Sequence, residues 1–399
     1  MTNTTAPKTV LIAPDKFKGS LTAGEVAEAL AAGLGAAHGT SGAIHCEILP
    51  LADGGDGSVD AAVASGFGRY NCTVAGPTGR PVQADIAFDG VTAVVEVANT
   101  CGLAVLPQGD LAPMEASSRG FGEAVLFALG LRPARLVLAL GGSSSTDGGM
   151  GMLAALGLRF LDSSGLSLSG NGHSLSLVHS VSGSLVPELA DVELILATDV
   201  HNPLCGPDGS PAVFGPQKGC SLTDVSALDA GLTHFVSVLA GSGAAAAVGS
   251  WAGRESQAGI ASLAEQPGAG SAGGIGFACL LLGARQVSGA DYFLDLLDFD
   301  ARKENCDLVI TGEGSIDEQT LAGKLPAAVA RRSGTRPIIA VAGRSLLPQE
   351  RWSEMSLSCV YALADYTTLD SAKDPELSRK LLRRIGKDIG QSVLDALGV

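Results

Sequence analysis

Arg135–Gly149 reads RLVLALGGSSSTDGG, a short aliphatic run that empties directly into glycines, hydroxyls and an acid. An apolar run of that length closed by glycine reads as a buried strand, and the glycines after it as the turn toward a helix. The same grammar recurs. Ile44–Leu51 (IHCEILPL) leads into Ala52–Gly57 (ADGGDG), Val192–Thr198 (VELILAT) into Asp199–Leu204 (DVHNPL), and Asp307–Gly312 (DLVITG) into Glu313–Thr320 (EGSIDEQT). Repeated strand-to-loop units of this kind define an α/β fold, and open parallel sheets bind ligands beyond the carboxyl ends of their strands. Loops distant in sequence are therefore expected to converge.

Working outward, Thr9–Pro14 (TVLIAP) reads as another buried strand, and Thr22 with Glu25 forms a capping box opening an alanine-rich amphipathic helix to about Gly35. Between Gly76 and Val97 the pattern changes. VQADIAF and TAVVEVA follow one another with no helix between, which marks a second domain. Ala244–Gly276 is rich in Ala, Gly and Ser, ends in PGAGSAGGIG, and reads as a loop returning to the first domain. The expected organisation is a discontinuous domain of residues 1–72 and 286–399 with residues 73–285 inserted.

The 399 residues carry a formal net charge of −15 with no basic stripe, which opposes nonspecific binding to nucleic acid or an anionic membrane. No apolar run approaches the roughly 18–20 residues that span a bilayer, and Met1–Lys8 is polar, so a cytoplasmic protein is expected. Eight cysteines lie far apart without a C-x-x-C pair or zinc-like spacing, and read as reduced structural thiols. An anionic substrate would then need local cations. Lys16, Lys18, Lys218 and Lys324 all fall in glycine-rich loops.

Four loops carry candidate chemistry. Asp53 and Asp56 in DGGDG could coordinate magnesium or hold a substrate hydroxyl, or could only cap the following SVDAAVA helix. In GGSSSTDGG, backbone N–H groups could meet phosphate, with Asp147 available to magnesium, although neither GK[ST] nor G-x-G-x-x-G is present. Ala197–Gly219 is a long proline-punctuated loop. There Asp199, at a strand end, is the candidate general base, His201 a competitor, and Lys218 a cation for phosphate or carboxylate. Thr311–Lys324 offers Glu313, Asp317 and Lys324 for magnesium and phosphate, and PDKFKGSLT adds Lys16 and Lys18 ahead of the first helix.

PDKFKGSLTA, LADGGDGS, GGSSSTDGGMGMLAALG, TDVHNPLCGPDGSPAVFGPQKG, PGAGSAGGIG and DLVITGEGSIDEQTLAGKLP, in that order, resemble the bacterial glycerate kinases that form 2-phosphoglycerate, nearly end to end. The resemblance implies a flavodoxin-like parallel-sheet domain built from both chain ends, an inserted second α/β domain, a substrate cleft between them, and ATP, Mg2+ and D-glycerate as ligands. It implies no nucleic-acid or membrane partner and leaves a homodimer open. Carried onto the matching residues, it gives catalytic roles to Asp199, Lys18 and Lys218, and substrate contacts to Asp15, Lys16, Ser20, Asp53, Asp56 and Asn202. Nucleotide or phosphate contacts fall to Gly141, Gly142, Ser143, Ser144, Gly273, Gly274 and Lys324, and metal contacts to Asp147, Glu313 and Asp317. Two positions depart from the pattern: Ser315 stands where the family often has arginine (GEGRID), and Thr146 where it often has asparagine. If that arginine contacts phosphate, another cation must replace it. The rival readings are a non-catalytic binding protein that kept the residues, and a kinase for another small hydroxy acid or polyol.

Overall fold

The computed structural model describes residues 7–37, 44–107, 109–241, 257–321 and 323–395. The chain forms two compact units, one of Met1–Asp53, Asp60–Ser65 and Ala290–Val399, the other of Gly54–Val59 and Gly66–Gly289.

The first unit is a five-stranded, wholly parallel sheet. It contains β1 (Lys8–Pro14), β2 (Ile44–Ile48), β11 (Leu308–Ile316), β12 (Ile338–Ser345) and β13 (Cys359–Ala362) in the order β13-β12-β11-β1-β2. Counted within the unit this is 2-1-3-4-5, the flavodoxin-like order. The continuous apolar run of β1 suits a strand covered on both faces: Val10, Leu11, Ile12 and Ala13 are all fully buried. On the face carrying Val10, Ile12, Leu308, Ile310 and Val341 lie the helix Ala23–Gly35 and the C-terminal helix Pro375–Asp395, which contributes Leu381, Leu382, Ile385 and Ile389. The first helix begins on the expected capping box, with Thr22 Oγ1 accepting from Glu25 N at 3.2 Å and Glu25 Oε2 accepting from Thr22 N at 2.9 Å. The two helices interlock through glycine. A Cβ on Gly33 would lie 2.2 Å from the Arg383 carbonyl oxygen.

The second unit holds a six-stranded mixed sheet of β3 (Gly68–Ala75), β4 (Pro81–Phe88), β5 (Thr92–Glu96), β6 (Arg135–Ala139), β9 (Glu193–Ala197) and β10 (Arg285–Val287), in the order β10-β9-β6-β5-β4-β3. The strands β5, β6, β9 and β10 run parallel, and β3–β4–β5 form the antiparallel meander that the closely spaced VQADIAF and TAVVEVA runs anticipate. The expected boundary at residue 72 falls inside β3, which pairs with β4 along its whole length. A separate hairpin joins β7 (Leu158–Leu161) to β8 (Ser180–Gly183). The core is aromatic and aliphatic, with Phe121, Phe160, Phe235 and Phe277 fully or almost fully buried.

Of the stretch expected to be a returning loop, residues 244–256 lie outside the described residues. The remainder is not a loop. It forms the helices Gln257–Glu265 and Ile275–Leu281 around a glycine turn, because Ile260, Leu263, Ile275 and Phe277 find places in the core. No helix among the described residues is long and apolar enough to cross a membrane.

Candidate active site

In the first unit, the connections leaving β1 and β11 depart to opposite sides of the sheet, which opens a crevice outside their carboxyl ends. Asp15 directly follows β1, Asp53 follows β2, Glu313 lies in the last half of β11, and Asp317 comes just after it. Gly312 fixes this geometry, since a Cβ there would sit 2.1 Å from the Val341 carbonyl oxygen of β12. Glu313 is only 7% exposed. Its Oε1 accepts from Thr320 Oγ1 at 2.5 Å and its Oε2 lies 3.9 Å from Lys324 Nζ. Thr320 Oγ1 also accepts from Asp317 N at 3.0 Å, closing the turn that presents Asp317. Asp15 Oδ1 accepts from Lys16 N at 2.7 Å, with Lys16 Nζ 4.0 Å away.

Burial raises the Asp15 carboxyl to about 7; Lys16 opposes the rise, and the charges of Asp53 and Glu313 add to it. Burial likewise raises Glu313 to about 7 against the Thr320 hydrogen bond and Lys324, with Asp317 and Asp53 pushing it further. Carboxylates crowded this way are relieved by a cation. Lys18 is exposed, and its backbone nitrogen would lie 3.5 Å from a Cβ on Gly314. The Ser20 hydroxyl lies 2.9 Å from Ser378 Oγ and 3.3 Å from Ser371 O, so it ties the first loop to the C-terminal helix.

In the second unit, the glycine-rich loop after β6 is built largely from contacts with its own neighbours. Asp147 is fully buried and accepts four hydrogen bonds, from Ser118 N (2.8 Å), Ser118 Oγ (2.7 Å), Gly149 N (3.1 Å) and Gly151 N (3.2 Å). A carboxylate offers about four acceptor sites. Three of the four bonds fall on Oδ2 and one on Oδ1, so the carboxylate anchors the loop while Oδ1 retains an acceptor position. Lys218, in the turn Pro216–Lys218, is 2% exposed, and its ammonium donates to Ser143 Oγ (2.9 Å), Ser145 O (2.5 Å) and Thr146 Oγ1 (3.5 Å). An ammonium has three donors. All are directed at the loop, whereas the sequence reading has Lys218 as a cation for phosphate or carboxylate. Burial lowers Lys218 to about 8 despite the opposing charge of Asp147. Ser144 is also turned inward, with N and Oγ donating to Cys101 O at 3.0 and 2.8 Å.

The two glycine segments expected to meet phosphate are brought together. Gly148 N donates to Gly273 O at 3.0 Å, and a Cβ on Gly273 (φ +72°) would lie 1.9 Å from Ser145 O. Gly274 packs against Gly148, and Gly141 against Gly55, with Asp56 beside Gly142. Close packing between loops thus accounts for these glycines as well as any ligand would. Asp199 lies two residues beyond β9, and its Oδ1 accepts from Gly289 N at 3.0 Å. His201 is exposed, and the Asn202 side chain donates to Asp208 O at 2.8 Å, bracing its own loop. Among the described residues no three acidic, histidine or cysteine side chains form a ready-made metal cage. Mg2+ commonly uses one or two carboxylates with substrate phosphates, and the hard oxygens of Glu313 and Asp317 fit that mode. Sequence reasoning missed Thr320, Ser118 and Arg344, whose roles depend on partners the local sequence does not show.

The fold and the strand-end acids and lysines define an α/β protein with a charged crevice, and comparison with known proteins places the chain among kinases. It belongs to the glycerate kinase family, whose model matches residues 10–394. It is 41% identical over 341 residues to the glycerate kinase of Bacillus subtilis (strain 168), and 37% identical over 341 residues to the glycerate 2-kinase of Escherichia coli (strain K12), covering 84% of both chains in each comparison. The crystal structure of a putative glycerate kinase 2 from Salmonella typhimurium LT2 superposes with a TM-score of 0.76 at 32% identity, covering 98% of this chain and 100% of that one.

Proposed function

We propose that the protein transfers the γ-phosphoryl group of ATP to the 2-hydroxyl of D-glycerate, in the cytoplasm. The observation that carries this reading is the buried Glu313 beside Lys324 and Thr320 at the carboxyl edge of the flavodoxin-ordered sheet, in a chain of the glycerate kinase family. The 2-position rests on the name of the Escherichia coli relative.

Phosphoryl transfer needs positioning and charge stabilisation more than covalent help. Lys324, Lys16 and Lys18 supply cations for phosphate and carboxylate oxygens. Asp15, Asp53 and Asp56 accept from substrate hydroxyls. Glu313 and Asp317 would hold Mg2+, which when bound neutralises the charge of the phosphate oxygens. Asp199 orients the acceptor hydroxyl and takes its proton. The segments at Gly141–Ser143 and Gly273–Gly274 lend backbone N–H groups to phosphate, and Lys218 and Asp147 hold them in place. Ser20, Ser144 and Asn202 support neighbouring backbone.

ADP release should require Mg2+, ATP and glycerate, with glycerol and tartronate poor acceptors. Full activity in EDTA without added magnesium, or turnover on glycerol matching that on glycerate, would overturn the assignment.

A further inference from the structure

β11 and β12 are paired so that Thr311 faces Ala340, Glu313 faces Ala342 and Ser315 faces Arg344. Paired residues share a sheet face, and residues two apart return to it. Thr311, Glu313, Ser315 and Arg344 therefore stand on one face, opposite the face covered by the first and last helices. On that face β12 offers only alanines beside Thr311 and Glu313, and the first charged side chain it presents is Arg344, next to the Glu313–Asp317 segment.

The arginine is steered. Its Nε donates to Ser315 Oγ at 3.3 Å, and Ser315 Oγ lies 3.4 Å from Asp317 Oδ2. Arg344 is exposed, and among the described residues no carboxylate pairs with it. An arginine bonded through Nε alone keeps the two terminal nitrogens of its fork available for a bidentate bond to a phosphate or carboxylate. The serine that steers it occupies the position where the family pattern often carries arginine. The two residues are cross-strand partners, so a cation at 344 starts from the adjacent backbone on the same face as one at 315.

We propose that Arg344 is an oxyanion-binding residue of the phosphotransfer site, supplying from β12 the cation that position 315 lacks. This rests on the reading that the Glu313 edge carries the reaction. Arg344→Ala should raise the KM for one substrate roughly ten- to hundredfold, the scale of a lost charge-assisted hydrogen bond, while kcat and the thermal midpoint change little. A rise for ATP identifies a phosphate oxygen, and a rise for glycerate its carboxylate. Arg344→Lys, which keeps charge but loses the fork, should fall between, and the exchange Ser315→Arg with Arg344→Ser should lower the KM again. Unchanged KM values in Arg344→Ala, an equal loss for both substrates with a lowered midpoint, or an exchange that leaves the KM high would each overturn the proposal. Glu313→Gln separates the two layers. If Glu313→Gln is inactive while Arg344→Ala is silent, only the arginine's role falls; if both behave as wild type, the site reading falls with it.

Discussion

Asp199 and Glu313 are both carboxylates at strand ends, yet their surroundings differ. Asp199 is partly exposed and accepts from Gly289 N, a bond that an asparagine oxygen can also accept. Asp199→Asn should therefore fold and bind ATP normally while turnover falls on the order of 100-fold or more, the scale of a lost general base. Were Asp199 a magnesium ligand, the change would chiefly raise the magnesium requirement, and near wild-type turnover would exclude both roles. Glu313, by contrast, is held above its unfolded value of 4.5, at about 7, mainly by burial. An acid shifted upward keeps its proton in the folded state through a window where the unfolded chain has lost it, so its contribution to stability declines as pH rises from about 4.5 to about 7. In metal-free protein, Glu313→Gln should then raise the thermal midpoint at pH 8 by an amount that fades toward pH 4.5. A pH-independent difference would contradict the shift. Such roles were partly legible in the sequence. The acids could be picked out because each follows an apolar run, but Asp147 looked the same locally, and only Ser118, 29 residues away, shows that it anchors its own loop.

The helix Ala23–Gly35 illustrates how far one element can be read. Its start was legible because a capping box lies within four consecutive residues, here Thr22 to Glu25. Its glycines were not, because their constraint comes from a helix more than 340 residues later. Gly33 faces the Arg383 carbonyl, whereas a Cβ on Gly35 would meet nothing within 4 Å. Alanine in a helix is favoured over glycine by roughly 0.5–1 kcal/mol, and overpacking costs about 1–3 kcal/mol. Gly33→Ala should consequently lower stability by about 1–2 kcal/mol, while Gly35→Ala should leave it unchanged or raise it slightly, as chemical denaturation would show. Equal effects at the two positions would mean the helices do not interlock as described. The same logic explains Ser20, Gly273 and Arg344, whose partners lie on other elements: Ser378, Ser145 and the cross-strand Ser315. The strands β1, β5, β6, β9 and β11 were readable because each is a mostly buried apolar run closed by glycine or a polar turn, whereas β3, β8 and β10 are short or largely exposed and give no such signal. The segment after residue 256 was misread because its Ala/Gly/Ser content hides the few apolar residues, Ile260 and Leu263 among them, that commit it to helix.

At the scale of the whole molecule, a chain with a net charge of −15 handles anionic substrates only through locally placed cations. The first unit, assembled from both chain ends, gathers Lys16, Lys18, Lys324 and Arg344 around Asp15, Asp53, Glu313 and Asp317 at one edge of a parallel sheet. The second unit, taken by itself, carries Asp199 at the end of β9 and a glycine-rich loop held by Lys218 and Asp147. The reaction proposed above is transfer of phosphate from ATP to the 2-hydroxyl of D-glycerate. It is tested most directly by proton-coupled phosphorus NMR of the product formed from ATP, Mg2+ and D-glycerate. A phosphate on the 2-oxygen couples to the single proton on that carbon and gives a doublet, which is the result expected here. A triplet, from the two protons of the 3-carbon, or the absence of any phosphomonoester signal while ATP is present, would contradict it.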